Sequence, residues 1–380
     1  MLEFNNSNQL KNKKFRINRR KIGRFIVIGL LATAVLSIAW FFYKTSNVLT
    51  ITKDAGTYKN FKVEKEPNRI DILILGIGGP GHQGGLLTDS ILLLSFDKEK
   101  EKAALVGLPR DLFVTMPNHA KPEKINYAYA LGESRLPGGG GLALSKEVVK
   151  YVTGVYIDHA VVLNFDGFEK LVDIMGGVTI SRNTKFVEDK QWQGEGKEDS
   201  PFWYKQSDTD NTEQFTDGDT EEVFDENEES VELASEESFE YWVFEVPAGT
   251  SVLSGEDALY YVRSRFTSSD FDRIRRQQQV ISSLKNKAFS LGVLANPIKV
   301  FNILDVIGNN IRTDMGLGDI REATGLAQKY DKIPIETNLL DTSNDGLLIS
   351  KNSNGSFVLV PRIGDDDFTE IRDFFTGIFD

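Results

Sequence analysis

LILGIGGPGHQGGLLTDSILLLSF, residues Leu73 to Phe96, decides between two kinds of α/β protein. An apolar run enters a loop with five glycines and leaves as a second apolar run. If the loop opened a helix it would suit a nucleotide phosphate, because glycine backbones bring N–H groups up to an anion at a helix start. A P-loop, however, needs Gly-Lys-Ser/Thr running into that helix, and a dinucleotide loop also opens one. Here SILLLSF reads as a second buried strand, so the loop is a strand-to-strand connection. Working outward, IDILILGI, SILLLSF and KAALVGLP are successive strands, with EKEKE as the turn between the last two. A mixed sheet follows.

Downstream, the periodicity alternates. GGGGLALSKEVVKYVTGV reads as a helix, IDHAVVLNF as a strand, DGFEKLVDIMGG as a helix closed by glycines, and VTISR as a strand. This predicts an α/β fold with a mixed central sheet flanked by helices. SGEDALYYVR is a short helix, and another starts near Asp270 with Ser or Asp as its N-cap. The tail from Asn296 alternates helical and strand-like pieces without a linker, so residues 70–380 read as one domain.

A hydrophobic content of 40% against 26% charged residues excludes a chain that is disordered throughout. Eight Lys/Arg lie between Lys11 and Arg24, followed by IGRFIVIGLLATAVLSIAWFFY at 22–43. At about 1.5 Å per residue that stretch spans roughly 30 Å, the hydrocarbon thickness of a bilayer. The expectation is a basic cytoplasmic segment at 1–21, an uncleaved single-pass anchor at 22–43, a stalk at 44–69 and an extracytoplasmic domain beyond it. The absence of cysteine is compatible with that compartment and does not establish it. The net charge of −12 is local in origin, since residues 188–240 hold 20 Asp/Glu against 3 Lys, a balance of −17 that leaves +5 elsewhere. That insert reads as a solvated, mobile excursion, with WQGEGKEDSPFWY carrying enough aromatics to dock back. No sustained basic face lies outside the N-terminal segment, which argues against nucleic acid.

Basic residues gather at the ends of elements. On the helix from Asp270, Arg273, Arg276 and Gln277 fall within about 100° of one another and begin an inward stripe continued by Val280, Leu284 and Leu291, while Arg275 points away. Buried guanidinium groups are costly without an anion, and the helix start adds a positive field. Arg263 and Arg265 lie just upstream, Arg110 and Asp111 follow a buried strand, and Lys124 precedes a mostly uncharged segment. Arginine forks suit a pyrophosphate better than a single carboxylate.

LTDSILLLS, VGLPRD, KINYAYA, NFDGFEKLVDIMGGV, LSGEDALYYVRSR and DFDRIRRQQQVI, in this order, resemble the LytR-CpsA-Psr (LCP) family of cell-wall glycopolymer ligases. The resemblance implies an anchored extracytoplasmic enzyme that transfers a phosphoglycosyl chain from a polyprenyl-pyrophosphate carrier to peptidoglycan, usually with Mg²⁺ or Mn²⁺. By that resemblance Asp89 is a metal ligand, and Arg110 sits at the pyrophosphate. Lys124, Arg263, Arg265, Arg273, Arg276 and Gln277 grip the phosphates, and Asp270 matches the start of the family's helix motif. Asp111 and Asp270 are the candidate bases, with orientation of an arginine as the alternative role for either. The lipid is expected in an apolar groove between sheet and helices.

Two positions depart from the family pattern. Gly78 stands where the family's first metal-binding aspartate is usual, and Leu87 where an arginine is usual two residues before Asp89. Metal use is therefore open, with His82 as a substitute ligand or an exposed loop residue; His119 and His159 receive no role. The glycine loop is expected to frame the pyrophosphate region as a rim. An anchored pyrophosphatase and a non-catalytic glycan- or lipid-binding module are the competing readings.

Overall fold

The alternation along the first strand sets the layers. In the computed structural model, which describes residues 55–189, 199–208, 239–265, 267–290, 292, 297–329 and 332–380, β1 (Arg69–Ile77) buries every second residue. Then come β2 (Thr88–Asp97) and β3 (Lys102–Gly107), two short strands β4 (Phe113–Thr115) and β5 (Pro122–Lys124), and helices α1 (Tyr127–Arg135) and α2 (Gly140–Thr153). β6 (His159–Asn164), α3 (Phe165–Ile174), β7 (Val178–Arg182) and β8 (Phe186–Glu188) lead to the hairpin strands β9 (Trp203–Asp208) and β10 (Phe239–Val246). β11 (Gly249–Leu253), α4 (Gly255–Arg263), α5 (Asp270–Ser290), α6 (Pro297–Ile307), β12 (Ile311–Thr313) and α7 (Leu317–Lys329) follow. The chain closes with β13 (Ile335–Leu339), β14 (Leu348–Ser353), β15 (Ser356–Pro361) and α8 (Thr369–Thr376).

Among the described residues the central sheet has six strands in the order β12-β6-β1-β2-β3-β13. β1, β3, β6 and β13 run parallel, with β2 and β12 against them. The mixed sheet and the strand-to-strand glycine loop are as the sequence predicts. One face is the main core, where Leu73, Leu75 and Leu93 meet Leu144 and Val148 of α2 and Phe368 and Phe375 near the chain end. The tail belongs to this domain: β13 extends the sheet, and the buried Arg69 donates from Nη1 to the Phe375 carbonyl at 2.9 Å. The opposite face packs on α5 through Leu92, Leu105 and Ile274. That approach needs Gly107, because a Cβ there would collide with Ile274 Cγ2.

Of the aromatics in WQGEGKEDSPFWY, Phe202 and Trp203 dock, whereas Tyr204 is exposed and Trp192 lies outside the described residues. Trp203 donates from Nε1 to Asp257 Oδ1 at 3.2 Å, and Trp203 and Phe244 pack in a second core under a three-stranded sheet, β8-β10-β9. Tyr58, in the expected stalk, stacks on Tyr151 at 4.0 Å between centroids, so the chain joins the body before residue 70. The anchor at 22–43, the segment before it, stalk residues 44–54, and 190–198 and 209–238 of the acidic insert lie outside the described residues. Among the described residues no helix is long and apolar enough to cross a membrane.

Candidate active site

The carboxyl ends of parallel strands leave a crevice where loops diverge, and several of the predicted site residues gather there. The glycine loop leaves β1, Pro109 and Arg110 follow β3, and Asn164 ends β6 and caps α3 by accepting from Gly167 N at 2.9 Å. α5 enters with its N-terminal turn. Between them lies a cavity of about 290 Å³ lined by Asp89, Arg110, Arg263, Arg265, Arg273 and Gln277 at one end. Ile74, Leu92, Phe165, Phe168, Leu259, Val262, Val280 and Ile281 supply the apolar wall.

Asp89 reaches the cavity through a bulge. Gly76 pairs with Ser90 and Ile77 with Thr88, so Asp89 is the extra residue between them. A bulged residue is freed from strict alternation, and Asp89 lines the cavity beside Ser90. Arg110 Nη1 donates to Asp89 Oδ1 at 2.6 Å. Asp270 Oδ1 accepts an ion pair from Arg273 Nη2 at 2.8 Å and stands 3.7 Å from Arg110 Nε. Asp111 holds Lys124 Nζ at 2.6 Å and lies 3.9 Å from Arg110 Nε. The buried Nε atoms of Arg110 and Arg273 and Oε1 of Gln277 have no hydrogen-bond partner among the described residues. Burial lowers the pKa of Arg273 against the opposing pull of Asp270, and desolvation at the cavity mouth lowers that of Arg263 against Asp89 and Glu169. Both remain cations at neutral pH, since a guanidinium does not lose its proton there.

The predicted residues fall in three places. Asp89, Arg110, Arg263, Arg265, Arg273 and Gln277 come together at the cavity. Lys124, Asp111 and Asp270 stand behind this layer, joined to one another through Arg110 and its ion pairs. Arg276 is not with them. Its Nε donates to the Tyr261 carbonyl at 2.8 Å, Nη1 to Ser268 Oγ at 3.0 Å and Nη2 to the Ser264 carbonyl, and its guanidinium lies 4.6 Å from the Phe186 ring. Backbone carbonyls, not a ligand, explain its burial, and that burial lowers its pKa to about 10. His82 packs edge-on against Phe165, and His159 faces Asp314 at 3.8 Å. The sequence reading missed Phe165 and Phe168. Both lie in NFDGFEKLVDIMGGV, one of the stretches that carry the family resemblance, and that was their signal.

The sequence model of the LytR_cpsA_psr family matches residues 38–358. The chain belongs to the LytR_cpsA_psr family. Within the curated members it is 27% identical over 259 residues to a polyisoprenyl-teichoic acid–peptidoglycan teichoic acid transferase, TagU, of Oceanobacillus iheyensis, covering 68% of this chain and 62% of that protein. It is 24% identical over 322 residues to TagT of Bacillus subtilis, which carries the same transferase name, covering 80% of this chain and 82% of TagT. The crystal structure of B. subtilis TagV shares the fold, with a TM-score of 0.53 at 19% identity over 83% of this chain and 98% of TagV.

The cation implied for the family can be tested against the donors present. Asp89 is the one carboxylate among the cavity-lining residues, and Gly78 offers no second one. Mg²⁺ binds through one or two carboxylates together with substrate phosphates and water, so a single protein ligand fits provided the donor supplies the rest.

Proposed function

We propose that this chain is a membrane-anchored phosphotransferase of cell-wall biogenesis, moving a glycopolymer from a polyprenyl-pyrophosphate carrier to peptidoglycan. The observation that carries this reading is the charge and polarity of the cavity. Four guanidinium groups face one carboxylate at one end, and the remaining wall is apolar. A multiply charged anion attached to a hydrocarbon chain answers both halves. The names of the curated relatives, polyisoprenyl-teichoic acid–peptidoglycan teichoic acid transferases, support the same donor and acceptor classes.

In this reading an acceptor sugar hydroxyl attacks the glycan-linked phosphorus. The new O–P bond forms as the bridging P–O bond breaks, polyprenyl phosphate leaves, and the hydroxyl proton passes to a carboxylate or water. Catalysis is mainly electrostatic. Arg110 and Arg273 offer guanidinium donors to the phosphoryl oxygens, Arg263 and Arg265 hold the outer phosphate, and Asp270 and Asp111 orient the cations behind. Mg²⁺ or Mn²⁺, with Asp89 as its protein ligand, would neutralise charge on the transferred group. Anchoring by residues 22–43 brings the domain to the membrane face from which the lipid is drawn.

Product analysis tests this. The chain is incubated with a labelled polyprenyl-pyrophosphate glycan and peptidoglycan fragments, with Mg²⁺ or with chelator. Label on the acceptor is the expected result. Release of phosphoglycan to water would identify a hydrolase, and retention of intact donor a binding module; either would overturn the transferase.

A further inference from the structure

The cavity wall contains an aromatic stack that the roles above leave unused. Phe165 opens α3 directly after the capping Asn164, so its backbone is fixed at the junction of β6 and the helix. Arg263, the last residue of α4, lays its guanidinium over this ring, 4.2 Å from the centroid. From the glycine loop, His82 meets the same ring edge to face, with centroids 5.0 Å apart and planes at 72°. Gly78 makes room for that contact, because a Cβ there would stand 2.9 Å from His82 Cβ.

Arg263 differs from its neighbours in how it is held. Arg110 and Arg273 are oriented by carboxylates, whereas among the described residues the Arg263 guanidinium forms no hydrogen bond or ion pair. A guanidinium resting on a ring is restrained in tilt while its N–H donors, which lie in its own plane, stay available. Its longer-range attraction is to Asp89 and Glu169, and neither uses those donors. Such an arrangement presents a fork to an incoming anion without a competing carboxylate to displace.

We propose that Phe165 is a positioning residue for donor binding: it is the platform that aims Arg263 at the diphosphate, and His82 braces the ring from the glycine loop. The glycine loop and one of the phosphate-gripping arginines are thereby joined through a single side chain. The identity of the anion rests on the donor reading above; the platform rests on the geometry alone.

The test uses the full chain and three variants, Phe165→Leu, Phe165→Trp and His82→Ala. Two quantities are read: the ring-current shift of the Arg263 side-chain resonances in the free protein, and the dissociation constant for geranyl diphosphate by calorimetry. Phe165→Leu is expected to abolish the ring-current shift and weaken binding by roughly five- to thirtyfold, the range of a partly desolvated cation–π contact. Phe165→Trp, which restores a ring, should keep both within about twofold of the native chain, and His82→Ala should weaken binding by about two- to threefold. Unchanged affinity in Phe165→Leu, or equal losses in the Leu and Trp variants, would overturn the positioning role. A native chain that shows the ring-current shift yet does not bind geranyl diphosphate overturns the donor reading instead.

Discussion

Arg273 and Arg276 stand one turn apart on α5, and each is 4% exposed, yet they do different things. Arg273 turns to the cavity and to Asp270, whereas Arg276 closes the turn after α4 through the carbonyls of Tyr261 and Ser264. Removing Arg276 leaves buried acceptors without donors, which costs about 1–3 kcal/mol per group. Arg276→Ala should therefore lower unfolding stability by about 2–4 kcal/mol in a denaturant titration, while the molecules that remain folded keep most of their donor affinity. Arg110→Ala should act chiefly on catalysis, lowering the transfer rate about 10²–10³-fold. Wild-type rates in Arg110→Ala would remove it from the site. Helical periodicity made the burial of both α5 arginines legible, together with the outward Arg275, which is 57% exposed in its side chain. It could not tell a ligand from a carbonyl as the partner, because the carbonyls belong to a turn whose path is set by packing.

At the level of elements, α5 is held at its start by a reciprocal cap. Ser269 Oγ accepts from Asp272 N at 3.1 Å, and Asp272 Oδ2 accepts from Ser269 N at 3.2 Å and from its hydroxyl at 2.7 Å. Burial pushes the Asp272 carboxyl up, but the Ser269 donors and Arg275 together outweigh it, and its pKa is lowered from 3.8. A carboxyl with a depressed folded-state pKa contributes stability above its unfolded value and loses it as pH falls through the folded one. Asp272→Asn should accordingly cost about 1 kcal/mol at neutral pH, with the difference from the native chain shrinking below about pH 4. Urea unfolding at the two pH values measures it, and an unchanged difference in acid would contradict the cap. The helix and its Ser/Asp start were readable from residue types, as were β1, β2 and the strand-to-strand loop between them. The bulge that turns Asp89 into the cavity was not, since one extra residue leaves the apolar pattern on either side intact. To periodicity Phe165 was equally silent, because an aromatic at a helix start reads as ordinary packing until the third dimension brings Arg263 over it.

Across the whole molecule, the insert and the sheet each make a claim that can be checked. Asp208 and Phe239 are paired residues of β9 and β10, so a two-residue Asn-Gly turn suits the connection between the two strands. Replacing 209–238 with Asn-Gly should leave the thermal midpoint within a few degrees, and a collapse of the midpoint would make the insert part of the fold. The sheet face opposite the main core runs on beyond the first cavity. Ile74 and Leu92, which line the first cavity, are paired, and the next same-face pairs along the register, Ile72 with Leu94 and Ile70 with Phe96, line a second cavity of about 240 Å³. α5 follows the same course, from Ile281 in the first to Lys285 and Phe289 in the second, and α7 adds Ala323 and Leu326. From Gly76 to Ile70 the strand covers roughly 20 Å at about 3.3 Å per residue, a run suited to several isoprene units beyond the phosphates. If the donor's tail follows it, Ala323→Phe, which fills the second cavity from the helix side, should weaken a long polyprenyl donor more than about tenfold, the value of a few buried methylenes. A geranyl donor, short enough for the first cavity, should bind within about twofold of its native affinity, because nothing near the arginines has moved. Equal weakening of both donors would mean that the second cavity supports the fold without holding lipid.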